Sequence, residues 1–339
     1  MSHAADSGRR LRFGIYPWAA PGAVNAVAAQ VPDDPARTLA AAKELRGERS
    51  LTVHLYGQYT GEGGDSDAAA LLSDARWWSD NGMRVEMVLR YRPASPQLGA
   101  GFPAWVADVT TRLAALGGLA TVQVGNEPNN TSSPAAADGA YPGAVRAIAE
   151  AIPAARRALD AAGRDDVGVG FNWAAGESPC ARDAFWSQLR SIGGRALTSS
   201  VGWVGVDVYP GTWSAPAATS RPTGAEIAGS VTDALRCLRT EHMPEAGLRP
   251  STTIAVTETG YPTDARRSPA LQAAVLRETV AAVERVKAEY GVTSLCWFSL
   301  RDANTDSRQL ENGYGLLNDE YRAKPAFGAY RQIIADRGL

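Results

Sequence analysis

The chain has 339 residues, 45% of them apolar and 21% charged, with a formal net charge of −2. This is the make-up of a folded globular chain, long enough for one large domain or two of ordinary size. It leaves no basic excess to meet nucleic-acid phosphates, and no run of about 18 apolar residues offers a membrane span.

Residues 1–10 carry no apolar core and read as a short disordered lead-in rather than a signal peptide. As it stands the chain is expected in the cytoplasm, or outside the cell if a leader has been removed. The three cysteines are Cys180, Cys237 and Cys296. Cys296 lies in an apolar run, as a buried thiol would. A Cys180–Cys237 bridge is left open. The absence of a Cys-x-x-Cys pair argues against structural zinc. The three histidines are His3, His54 and His242, so metal hydrolases built on several imidazoles are excluded. No metal or cofactor is expected.

In chain order, short β-branched or aromatic runs fall at 11–16, 51–56, 83–90, 121–125, 167–171, 201–209, 252–258 and 293–300. Ala-rich stretches with helical spacing follow them at 35–46, 66–81, 102–116, 141–162, 182–192, 225–240, 269–290 and 324–337. The second helix is expected to be capped by Asp65 or Ser66 and stopped at Asn81-Gly82. Pro153 should kink or split the fourth. Ser268 caps the seventh ahead of Pro269, and Gly291 follows its end. Eight strand–helix units imply parallel strands with right-handed crossovers, closing into a (β/α)8 TIM barrel of one domain over residues 11–339. The rival is a doubly wound sheet. It usually has a Gly-rich phosphate turn after its first strand, and 16–22 contains no G-x-G-x-x-G.

Barrel chemistry sits at the C-terminal ends of the strands. Two runs stand out there. Thr121-Val-Gln-Val-Gly-Asn-Glu-Pro128 is apolar, stops at Gly125 and delivers Asn126 and Glu127. Pro128 should push Glu127 toward extended geometry. Thr253-Ile-Ala-Val-Thr-Glu258-Thr-Gly-Tyr-Pro262 has the same form and delivers Glu258. The other strand ends contribute Trp18, His54, Tyr56, Arg90, Arg92, Asn172, Trp173, Tyr209 and Trp297. Aromatic rings beside amides and charges suit a flat, hydroxyl-rich ligand, because ring faces cover the C–H surface of a sugar while polar groups read its hydroxyls.

Asn126-Glu127-Pro128 on the fourth strand, with Glu258 on the seventh and Trp297 on the eighth, resembles the clan-A retaining glycoside hydrolases over nearly the whole chain. The resemblance implies Glu127 as acid/base and Glu258 as nucleophile in a double displacement. It implies Asn126 on the sugar 2-hydroxyl, Tyr209 on the nucleophile and Trp297 as an aromatic floor. Many clan members carry an arginine on strand two, where this chain has His54, so Arg90 or Arg92 is the candidate to hold Glu258 ionised. A carboxyl separation of about 5–5.5 Å is expected for retention and roughly 6.5–9.5 Å for inversion. The expected partner is a carbohydrate substrate bound by a monomer, with no nucleic acid and no membrane. The alternatives are a transglycosylase using the same glutamates and a carbohydrate-binding barrel without catalysis. The excursions Pro210–Thr223 and Arg301–Leu316 are expected to shape the cleft.

Overall fold

The structure is a computed structural model. It describes residues 10–19, 31–63, 65–216 and 221–339, without the side chains of 65–67. Residues 1–9 of the expected lead-in over 1–10, and the capping side chain of the second helix, lie outside the described residues.

Eight strands close into a barrel in sequence order: β1 (Arg12–Ile15), β2 (Thr52–Tyr59), β3 (Arg84–Tyr91), β4 (Leu119–Val124), β5 (Gly168–Ala174), β6 (Trp203–Asp207), β7 (Thr253–Thr259) and β8 (Val292–Trp297). Every neighbouring pair is parallel, and β8 closes on β1 with Ile15 opposite Trp297. Each strand overlaps its expected run. The doubly wound alternative is ruled out by the closure.

The helices are α1 (Pro35–Arg46), α2 (Asp65–Asp80), α3 (Phe102–Leu113), α4 (Ala144–Ala161), α5 (Ala184–Ser200), α6 (Gly224–Cys237), the single turn α7 (Met243–Glu245), α8 (Pro269–Tyr290) and α9 (Pro325–Arg337). α1 and α8 match their expected bounds. Ser268 caps α8 through the Leu271 amide, and Gly291 ends it at φ 70°, in the left-handed region open to glycine. Two expectations are corrected. α4 runs unbroken through Pro153. Its long buried face, including Ile148, Ile152 and Leu159, outweighs the roughly 3 kcal/mol that an internal proline costs. α5 does not stop at 192. Gly194 bends the chain at φ 51° and the helix resumes, burying Leu197.

Strand parity then decides what reaches the site, because successive side chains point to opposite faces. On β5, Asn172 points into the barrel, while Trp173 points out against Trp186 of α5 and His242, with ring centroids 6.0 and 4.8 Å away. At the end of β8 the same rule buries Trp297 completely and turns Phe298 inward.

Cys180 and Cys237 form a disulfide between the β5–α5 loop and the end of α6. Cys296 is a free, buried thiol. Among the described residues no helix is long and apolar enough to cross a membrane.

Candidate active site

At the C-terminal mouth of the barrel lies a cavity of about 560 Å³, lined by residues in or just past the C-terminal ends of strands β2 to β8. Both expected cleft-shaping excursions reach it. The segment after β6 supplies Trp213 and Ser214, and the segment after β8 supplies Glu311 and Tyr314.

Glu258 sits in β7 and is nearly buried. Three phenols converge on its carboxylate. Tyr16 and Tyr56 donate to Oε1 at 2.9 and 2.8 Å, and Tyr209 donates to Oε2 at 2.8 Å. Burial, reinforced by the charge of Glu258, pushes all three hydroxyls well above the usual tyrosine range, so they remain protonated donors. Tyr16, Tyr56 and Tyr209 come from β1, β2 and β6, so the closed barrel is what assembles this shell. Tyr16 stands one residue past β1, and that strand-end position is the signal for it in the sequence.

Glu127 follows the turn Gly125-Asn126, and its backbone is not extended. It has φ 46°, left-handed and uncommon for a residue with a side chain. Pro128 alone favours extended geometry, but local hydrogen bonds override it. The Asn172 side chain accepts from the Glu127 amide at 2.8 Å, and the Glu127 carbonyl accepts from the Asn130 amide at 3.0 Å. Asp138 fixes the preceding residue by accepting from the Asn126 amide at 2.8 Å. The turn thereby aims the Glu127 carboxyl into the cavity, where Asn130 Nδ2 donates to Oε2 at 3.0 Å. Burial, and then the negative charge of Glu258, push this carboxyl up to about 7.

Asp207 is a third carboxyl in the site. It stands opposite Glu258 in the β6–β7 ladder, at a bulge. One oxygen from each of Glu127, Asp207 and Glu258 lies within 4.8 Å of the others. Thr257 donates to Asp207 Oδ1 at 2.7 Å and Asn172 to Oδ2 at 2.5 Å. Burial and the two glutamate charges push Asp207 well above the usual carboxylate range. Asn172 Nδ2 also donates to Asn126 Oδ1 at 3.0 Å, so one amide ties together the three strand ends that carry Asn126, Asn172 and Asp207.

Other expected residues sit elsewhere. Arg90 lines the cavity but pairs with Asp138 at 2.9 Å and donates to the Ala136 carbonyl at 2.5 Å. Its guanidinium lies 5.8 Å from the Tyr56 ring centroid. Arg92 donates to Gln58 and Tyr141. The three hydrogen bonds found on Glu258 therefore come from tyrosines, and not from Arg90 or Arg92. His54 lies a layer deeper, 2.7 Å from Glu86 and stacked 4.2 Å from Tyr16, so it supports a tyrosine instead of lining the cavity. Trp18 stacks on Trp77 and donates to Asp74 at 3.0 Å, away from the cavity lining. Trp173 donates to Asp183 outside the barrel. Asn126 and Tyr209 line the cavity as expected, and Phe298 occupies the lining where Trp297 was expected.

No protein-family model and no curated protein matches the sequence. Solved structures share the fold. A GH5_18 variant from Bifidobacterium longum subsp. longum in complex with Manb1-4GlcNAc aligns over 96% of this chain and 78% of its own, with a TM-score of 0.66 and 12% identity. A GH5_18 from Streptomyces cattleya in complex with GlcNAc aligns over 96% and 80%, with a TM-score of 0.60 and 17% identity. A GH2 beta-galacturonidase from Eisenbergiella tayi aligns over 97% of this chain and 51% of its own, with a TM-score of 0.58 and 12% identity.

Proposed function

We propose that this protein hydrolyses an O-glycosidic bond of an oligo- or polysaccharide with retention, using Glu258 as nucleophile and Glu127 as acid/base. The observation that carries this reading is the contrast between two neighbouring carboxyls. Glu258 accepts from three phenols, while burial and the Glu258 charge push Glu127 up to about 7. One carboxyl is surrounded by hydroxyl donors, and the other is kept able to hold a proton. One oxygen of each lies within 4.8 Å of the other, close enough for both carboxyls to flank one glycosidic bond.

In the first step a Glu258 oxygen attacks the anomeric carbon, the bond to the leaving oxygen breaks, and the Glu127 proton moves to that oxygen. In the second step Glu127, now a carboxylate, takes a proton from water, which attacks the anomeric carbon and releases Glu258. The phenols keep Glu258 from rotating away, and the left-handed turn keeps Glu127 aimed at the leaving oxygen. Asn126, which lines the cavity, is the amide assigned to the sugar 2-hydroxyl. The sugar-bound and sugar-cleaving proteins that share the fold support a carbohydrate substrate.

The test is a panel of aryl glycosides and plant and microbial polysaccharides, with Glu258→Ala and Glu127→Ala as controls. Each variant is expected to lose several orders of magnitude in kcat on a natural substrate. A near wild-type rate in either variant contradicts the proposal.

A further inference from the structure

Large apolar side chains are rarely exposed among the described residues of this chain, and Trp213 is one of them at 50% exposure. A single exposed tryptophan is ordinary by itself. This one differs in two ways. It lines the mouth of the cavity, and its backbone is tied into a tight turn. The amides of Thr212, Trp213 and Ser214 all donate to the Tyr209 carbonyl at 3.0–3.2 Å, and Ser214 Oγ accepts from the Tyr209 amide at 3.0 Å. Gly211 closes this turn at φ 79°, a conformation that disfavours any other residue. The Tyr314 hydroxyl meets Thr212 Oγ1, in the same turn, at 3.2 Å. Tyr314 in turn packs edge-on against Tyr209 and Phe298, with centroids 5.6 Å away in both cases.

About half of Trp213 thus stays open to solvent above a well-tied turn. Fixing an apolar face in water costs stability unless something covers it. The same turn begins at Tyr209, which positions Glu258 at the floor of the cavity. The sugar being cleaved must sit on that floor, so a ring at the mouth serves a different sugar unit. The charge at the mouth narrows the choice further. Glu177 and Glu311 line the cavity along with the three site carboxyls, and the lining cation Arg90 is already paired with Asp138. A sugar carboxylate there would meet like charge.

We infer that Trp213 is a stacking platform for an uncharged sugar unit next to the one that is cleaved, so the natural substrate has at least two sugars. This rests on the glycosidase reading and specifies its substrate.

The test compares Trp213→Ala and Trp213→Phe with the wild type on two kinds of substrate. One is whichever of cellohexaose, mannohexaose or xylohexaose is cleaved. The other is the matching aryl monoglycoside. Trp213→Ala should raise KM on the oligosaccharide by about tenfold, the scale of one lost aromatic contact. Its effect on the monoglycoside should be several-fold smaller, and Trp213→Phe should recover part of the loss. Equal losses on both substrates, or none on either, overturn the inference. A second readout does not depend on turnover. Indole fluorescence of the wild-type protein should respond to a neutral hexasaccharide and not to oligogalacturonate, and that response should vanish in Trp213→Ala. If no glycoside is cleaved but the response behaves in this way, the hydrolase reading fails and the platform stands. If the response is absent, or is stronger for oligogalacturonate, the platform fails whatever the activity.

Discussion

The Tyr209 hydroxyl donates to Glu258 Oε2 at 2.8 Å from a residue two positions past the end of β6, the strand that pairs with the one carrying Glu258. Tyr16 and Tyr56 take the other oxygen, and their own hydroxyls lie 3.1 Å apart. The carboxylate is therefore fixed from three sides by neutral donors.

Removing these donors should not be equivalent. Tyr209 serves Oε2, whereas Tyr16 and Tyr56 share Oε1 and can partly replace each other. A hydrogen bond to a charged group is worth about 1.5–3 kcal/mol, or roughly ten- to a hundredfold in rate. Tyr209→Phe should lower kcat by that factor, Tyr16→Phe and Tyr56→Phe singly by less, and the Tyr16→Phe/Tyr56→Phe double variant by more than the product of the singles. Steady-state kinetics on an aryl glycoside measures all four.

The raised Glu127 has consequences for pH. As an acid with a folded value of about 7, it should impose a fall in kcat/KM as pH rises through that value, and Glu127→Gln should lack this limb on substrates with activated leaving groups. Stability follows the same proton. The folded state holds it more tightly than the unfolded chain, whose value is near 4.5, so the folded state loses stability as pH rises from about 4.5 through 7. Glu127→Gln removes that loss. Since the carboxyl is only partly buried from solvent, the gain above pH 7 should be on the order of 1–3 kcal/mol, and it should disappear near pH 4. Urea unfolding of both proteins at the two pH values reads it.

Arg90 and Asp138 hold the loop that carries the acid. Asp138 accepts from Arg90 and from the amides of Tyr91 and Asn126, all buried. Arg90→Met would leave that carboxyl buried without its cation and should cost about 3–5 kcal/mol in urea unfolding. Arg90→Lys should recover little, because an ammonium cannot reproduce the forked contacts to Asp138 and the Ala136 carbonyl.

The barrel is legible in the sequence because eight apolar runs alternate with eight Ala-rich stretches, and the two glutamates because each stands at or just past the end of such a run. What could not be read was strand parity near the ends. Asn172 and Trp173 are adjacent and both fit a sugar site, yet only one can face inward. Trp297 and Phe298 pose the same choice, and a bulge or a strand end hides which register applies. The backbone of Glu127 departs from the expected extended geometry for a different reason. Pro128 gave a local signal for extended geometry, and the opposing contact comes from Asn172, 45 residues away. Arg90, one of the two arginines offered as a partner for Glu258, pairs instead with Asp138, after the next strand.

The central claim is that Glu258 attacks the sugar directly, with Glu127 as its acid. Proton NMR of the first product released from an aryl glycoside, recorded before mutarotation, tests it most directly. Retention of the substrate's anomeric configuration is the predicted result. The inverted anomer as first product would contradict it, because a single displacement by water leaves no place for a glycosyl bond to Glu258.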